Sequence, residues 1–214
     1  MLSREEVGVV SKMNTPPIKQ LKTTASENGG LITTAEIEHC GIHRSRIPSL
    51  IKKGYLTKEA HGIYCLSDEI PDEFQILQKR SPKLVFSHGT ALYLWDMSDR
   101  TPHIWDISVP QGFNASRIRK DNSKIRLHYV SADKWDIGIT STFTPSGNSV
   151  LVYDRERCII DLIKCKDKID KQLYLGALRT YFSDKTTDKI KLLKYAKAFQ
   201  VEGAVRDYME ILDQ

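Results

Sequence analysis

The sequence predicts an α+β protein built of two domains, on three observations. Near the start, short segments of helical periodicity are cut by glycines and end in two short strand-like runs. From Leu84 onward, short apolar runs alternate with helical stretches, and the chain finishes on helices alone. The 214 residues are 40% hydrophobic and 28% charged, a globular composition long enough for two small cores.

Residues 1–14 lack periodicity and are expected to form a flexible arm. Pro16-Pro17 can open a helix, because proline suits the first turn. Ile18, Leu21 and Ala25 follow at helical spacing, and Asn28-Gly29-Gly30 ends the segment. Leu31-Ile32 brings the chain back to Thr33 or Thr34, either of which can cap a second short helix carrying Glu36 in its first turn. Ala35, Ile37 and Cys40 supply its apolar side, and Gly41 ends it. A third helix is expected over 43–53, with Ile47, Leu50 and Ile51 on one stripe and Gly54 as its stop. Pro48 conflicts with that span, since proline inside a helix removes a donor and crowds the preceding turn. The helix either starts later or is kinked there. Runs at 55–58 and 62–66 then read as two strands around a turn at 59–62.

Three helices followed by a hairpin form a winged helix-turn-helix, which places a domain at 15–68. The turn Cys40-Gly41-Ile42-His43 has the length and the glycine that this motif uses. A linker with a short helix is expected over 69–82. A mixed α/β domain with a helical end follows over 83–214. Its expected strands are 84–86, 104–109, 125–130 and 150–153, with a weaker one at 137–139. Its expected helices are 88–95, 155–166, 171–182, 188–199 and 202–212.

The net charge is +5, and its location is informative. Between residues 39 and 58 stand Arg44, Arg46, Lys52, Lys53 and Lys58 with no Asp or Glu, and the rest of the chain holds 27 basic and 27 acidic residues. Such a patch attracts polyanions. In a helix-turn-helix the third helix enters the major groove, which puts His43, Arg44, Ser45, Arg46 and Ser49 near base edges. Arg44 and Arg46 carry the fork that fits guanine. Lys52, Lys53, Lys58 and His61 suit phosphates, as do Thr33 and Thr34 at the start of the second helix. A second basic stripe, Lys191, Lys194 and Lys197, is either a solvated face or a candidate partner surface for a protein or RNA.

Other chemistry finds little support. There is no P-loop, no G-x-S-x-G and no H-E-x-x-H. Ser87-His88-Gly89-Thr90-Ala91-Leu92 with Asp106 is loosely similar to a nucleotidyltransferase core, but the second metal-binding carboxylate is missing from Trp105-Asp106-Ile107-Ser108. Ser87, His88 and Thr90 are expected to cap a helix instead, and no catalytic residue is assigned. His39, Cys40, His43, His61 and Cys65 match no common zinc spacing, so neither metal nor cofactor is expected. The four cysteines are expected as reduced thiols. No apolar run is long enough to span a bilayer, and the acidic start does not read as a signal peptide, so a cytoplasmic location is expected.

The order of several motifs resembles the AbiEi family of antitoxins from type IV toxin–antitoxin systems. These are Gly30-Leu31-Ile32-Thr33-Thr34-Ala35-Glu36-Ile37, Gly41-Ile42, Leu50-Ile51-Lys52-Lys53-Gly54-Tyr55-Leu56 and Gly62-Ile63-Tyr64. Phe86-Ser87-His88-Gly89-Thr90-Ala91-Leu92 and Val152-Tyr153-Asp154-Arg155-Glu156-Arg157-Cys158-Ile159-Ile160-Asp161-Leu162 complete the set. Pro48 departs from the usual pattern. The resemblance implies a repressor that binds promoter DNA of its own operon, and a C-terminal antitoxin domain. It implies a nucleotidyltransferase-like toxin as functional counterpart, opposed without a stable complex, and phage abortive infection as the setting.

Overall fold

The computed structural model describes residues 16–121 and 124–212. The arm expected over 1–14 lies outside them. The fold is α+β, in two compact units that meet in sequence between Arg80 and Ser81.

In the first unit, α1 (Pro16–Ser26) buries Leu21 and Ala25. The chain then reverses at Gly30, whose φ is +81° and where an added Cβ would meet Glu69 Cβ at 2.7 Å. Only glycine fits there. β1 (Leu31–Thr33) follows, a strand the sequence reading passed over. Thr33 caps α2 (Thr34–His39), accepting from the Glu36 amide at 3.2 Å while Glu36 accepts from the Thr33 amide at 2.6 Å. This reciprocal capping box satisfies two donors that a helix start leaves open. A 3-10 turn (Arg44–Arg46) leads into α3 (Ile47–Lys52), and Pro48 sits in the first turn of α3. The α-helix therefore starts later than residue 43, and proline costs it no hydrogen bond.

β2 (Leu56–Ala60) and β3 (Ile63–Leu66) form an antiparallel hairpin around His61-Gly62, and β1 pairs with β3 in the sheet order β1-β3-β2. One buried cluster joins Leu21, Ile37, Ile42, Ile47, Leu50 and Leu66. The helix expected in the linker is α4 (Glu73–Gln78). Its Ile76 packs against Leu31, Ile63 and Cys65, and Lys79 after it reaches Glu36 at 3.5 Å.

The second unit holds β4 (Val85–Phe86), α5 (His88–Leu94), β5 (Trp105–Pro110), α6 (Ser116–Asp121), β6 (Ile125–Val130) and α7 (Ala132–Trp135). β7 (Ile139–Phe143), β8 (Ser149–Tyr153), α8 (Arg155–Lys164), a 3-10 turn (Lys166–Lys168), α9 (Lys171–Ser183), α10 (Lys189–Ala198) and α11 (Glu202–Leu212) complete it. The sheet order is β6-β5-β4-β8-β7, with β4·β8 and β5·β6 parallel and the other pairs antiparallel. The strand expected at 137–139 lies downstream, as β7. Ser87 stands at the N-cap of α5 without a side-chain cap bond, whereas Thr90 accepts from the Asp106 amide at 2.8 Å and ties α5 to β5. All four cysteines are free thiols.

α8 is buried along most of its length, including the charged Glu156, Arg157 and Asp161. Arg157, 1% exposed, lies between the rings of Tyr153 and Phe199, with its guanidinium carbon 4.1 and 4.3 Å from their centroids. It donates to Asp161 at 3.1 Å and to the carbonyls of Lys134 and Ile137 at 2.9 and 2.8 Å. Those two carbonyls belong to α7 and to the link that leads into β7, so Arg157 clips the approach to this sheet edge to α8. Replacing it removes partners from a buried carboxylate and two carbonyls. Arg157→Met is expected to lower stability by about 3–5 kcal/mol, measured by urea denaturation. Wild-type stability in that variant would show that the clip is dispensable.

Candidate nucleic-acid interface

α3 packs its buried face through Ile47 and Leu50, which turns the other faces outward. His43 caps the 3-10 turn: the Ser45 amide donates to His43 Nδ1 at 3.3 Å. With Nδ1 accepting, the ring proton belongs on Nε2, on the outer side of the imidazole. Arg44, Ser45 and Arg46 are all exposed.

The hairpin supplies the other wall. Lys58 on β2 lies opposite Tyr64 on β3, and a bulge between Lys58 and Ala60 precedes the tight turn at Gly62, whose φ is +73°. Between α3 and this hairpin lies an open concavity of about 810 Å³. Arg44, Lys52 and Lys58 bring three cations to it, and His43 and His61 add two imidazoles. Thr34 and Ser45 contribute hydroxyls, while Pro48, Ile51 and Tyr64 give it an apolar floor. Among the described residues no acidic side chain lines it. Glu59, the nearest acid in sequence, accepts from the Thr57 hydroxyl at 2.6 Å instead.

Of the positions singled out from the sequence, the structure thus gathers Thr34, His43, Arg44, Ser45, Lys52, Lys58 and His61 on one surface. Arg46, Ser49 and Lys53 are exposed but lie off this concavity, on other faces of the same turn and helix. Thr33 is committed to the capping box. Tyr64 and Ile51 were not singled out. The alternation that puts Tyr64 beside Lys58 was present in the hairpin pattern, but it needed the register to be used.

The lysine stripe of α10 divides. Lys191 contacts Glu156 at 2.8 Å and Asp154 at 3.1 Å. Burial favours its neutral form, but these two carboxylates outweigh that and raise the ammonium above the usual lysine range. Lys194 and Lys197 remain exposed.

The motif at residues 87–92 leads to a different cluster. His88 takes φ +47°, a left-handed conformation uncommon for a side-chain-bearing residue. Its ring stacks on His128 with centroids 3.6 Å apart. His128 Nε2 lies 2.8 Å from Asp106 Oδ1, and Arg126 reaches the same oxygen at 3.4 Å. Among the described residues no second carboxylate joins Asp106 in a group able to hold a metal ion. His103 is exposed in a loop and takes no part.

Residues 19–67 match a family model described as a transcriptional regulator, AbiEi antitoxin. The match lies wholly within the first unit and spans α1 to the end of the hairpin. No curated protein matches the chain significantly. Among solved structures, the RV2827C protein from Mycobacterium tuberculosis superposes with a TM-score of 0.60 at 12% identity, covering 91% of this chain and 77% of that one. At this identity the likeness concerns the fold. Among the described residues no helix is long and apolar enough to cross a membrane.

Burial pushes the His88 imidazole down from 6.5 to about 4, against the pull of Asp161 and Asp106 and with a smaller push from His128 and Arg157. In the unfolded chain this imidazole takes up its proton near 6.5, so between those values the unfolded state binds more protons. The contribution is complete above pH 6.5 and is lost as pH falls towards 4. It should remove roughly 3 kcal/mol of stability over that interval. His88→Asn keeps a residue tolerant of left-handed φ and lacks the titrating ring. Urea midpoints taken across this pH range should fall less steeply for the variant than for the parent. Equal slopes would assign the pH dependence to other groups.

Proposed function

We propose that this chain is the antitoxin of a type IV toxin–antitoxin system and represses its own operon through the concavity between α3 and the hairpin. One observation carries the reading: a unit matching an antitoxin regulator family presents a cationic groove that no acidic side chain lines among the described residues. A duplex carries a phosphate charge about every 1.7 Å of its axis, so a surface of this kind gains affinity by displacing counterions.

The residues divide by reach. Arg44 and Arg46 start the segment that enters the major groove and offer bidentate donors to guanine O6 and N7. His43 and Ser45 add single donors beside them. Lys52 and Lys53 at the end of α3, and Lys58 and His61 on the hairpin, neutralise phosphates and set the register. Thr34 gives a phosphate a hydroxyl at the start of α2, and Thr33 serves by holding that start in place. Ser49 is exposed on α3 and in this reading adds a hydroxyl beside the same segment.

The C-terminal unit in this reading carries the antitoxin activity against a nucleotidyltransferase-like toxin without a stable complex. It acts as a non-enzymatic regulator in the cytoplasm, in the setting of phage abortive infection. The observation that supports a non-catalytic role is that Asp106 lacks the partner carboxylate that magnesium-dependent nucleotidyl transfer requires.

Promoter binding should weaken steeply with salt. The double variant Arg44→Ala, Arg46→Ala should lose about 1–3 kcal/mol for each base contact removed, read by fluorescence anisotropy on the operon's own promoter. Lys58→Ala should lower the slope of log K against log salt by about 0.9. A double variant that binds as tightly as the parent would sink the groove assignment. In cells, co-expression with the neighbouring toxin gene should restore growth with the full chain only. A fragment ending at Arg80 should retain promoter binding without rescue, and rescue by that fragment would overturn the division of labour.

A further inference from the structure

The regulator reading leaves the histidine cluster of the second unit unused. That cluster lines a cavity of about 540 Å³ lying wholly within this unit. Pockets that enclose small organic ligands measure roughly 300–1,000 Å³ and combine apolar walls with a few convergent polar groups. Here Leu92, Leu162 and Leu173 supply the apolar wall, and Asp106, Arg126 and Lys168 bring charge to the same space.

Three features separate this cavity from leftover packing space. First, its polar groups are costly to keep there. Asp106 is only 7% exposed, and His88 beside it holds a left-handed φ of +47°. Strained backbone and buried ionisable groups gather where a ligand is bound, because a purely structural core is better served by apolar side chains. Second, the contacts of Asp106 fall on one oxygen. His128 and Arg126 both meet Oδ1, while Oδ2 faces Gly89, where an added Cβ would come within 3.1 Å. The glycine keeps that acceptor clear. Third, Arg126 and Lys168 are exposed cations on one cavity, and Asp170, the other acid lining it, is held elsewhere. Asp170 pairs with Arg100 at 3.0 Å and accepts from the Leu173 amide at 3.0 Å.

The geometry points to a binding site for a nucleoside monophosphate in this cavity. The flat base lies against the leucine wall. A ribose hydroxyl or an exocyclic amine donates to Asp106 Oδ2. Arg126 and Lys168 grip the phosphate, as charge-assisted donors do. A monophosphate fits better than a magnesium-bound triphosphate, since the second carboxylate lining the cavity, Asp170, is taken up by Arg100 and by the start of α9 and does not join Asp106. Among the described residues no three His, Cys, Asp or Glu side chains converge to hold a metal ion.

The site binds without transforming its ligand. Cys165 Sγ lies 3.7 Å from His88 Nε2, which resembles a nucleophile and its base. Burial raises the Cys165 thiol and lowers the His88 imidazole, so both stay neutral and no thiolate forms.

The test titrates the full chain separately with AMP, GMP, CMP, UMP and inorganic phosphate, following the imidazole nitrogen signals of His88 and His128 by NMR. At least one nucleoside monophosphate should shift both imidazoles with a Kd of about 1 mM or tighter. Inorganic phosphate alone should need at least about tenfold more. Arg126→Ala and Lys168→Ala, both at exposed positions, should each weaken nucleotide binding by about tenfold. The proposal is overturned if none of the four shifts either imidazole at roughly 10 mM. It is equally overturned if phosphate binds as well as the nucleotides, or if both variants keep the parent affinity.

Discussion

The groove depends on one short stretch of backbone pairing. β1 has three residues, and they pair with the hairpin through Leu31↔Cys65, Ile32↔Tyr64 and Thr33↔Ile63. The Thr34 amide then donates to the Gly62 carbonyl at 3.0 Å. These bonds tie the start of α2 to the turn of the hairpin. The shared apolar cluster holds α3 against the same core. Lys58 and His61 therefore face Arg44 and Lys52 across a fixed gap. Without β1 the hairpin would be a two-stranded ribbon, which is marginal in water by itself.

A cluster of like charges works against the fold that carries it. Side chains such as Arg44, Lys52 and Lys58 repel one another, and water and salt screen that repulsion. Among the described residues no acid lines the groove to offset that repulsion, and a polyanion would relieve it. The second unit shows the opposite treatment of charge. Glu156, 4% exposed, accepts from Tyr181, from the Asp188 amide and from Lys191. Arg157 is likewise surrounded by acceptors and rings. Both are satisfied internally and act as rigid struts.

The His88, His128 and Asp106 cluster differs from those struts although it lies in the same unit. Its groups are paired on one side and open to a cavity on the other. That asymmetry marks it off from a structural network, in which every donor and acceptor turns inward. The left-handed φ of His88 has the same implication, because α5 could begin with a residue that bears no strain.

Local chemistry was enough to read most of the helices, the glycine stops, the hairpin and the basic window, since periodicity, caps and turns act over a few neighbouring residues. Glu202–Leu212 and Ile125–Val130 follow directly from their apolar spacing. Pro48 was legible as a conflict, and the structure settles it by starting α3 at Ile47. β1 was not legible, because three residues carry too little pattern to register as a strand. β7 lies downstream of the run that suggested it, since its apolar positions make sense only opposite β8. Only tertiary structure placed Lys58 and His61 across from Arg44, and only it drew Lys191 away from its stripe onto Asp154 and Glu156. The stacking of His88 on His128 joins a helix start to a strand forty residues away in sequence. Such convergence depends on register and packing between distant segments, which no local spacing encodes.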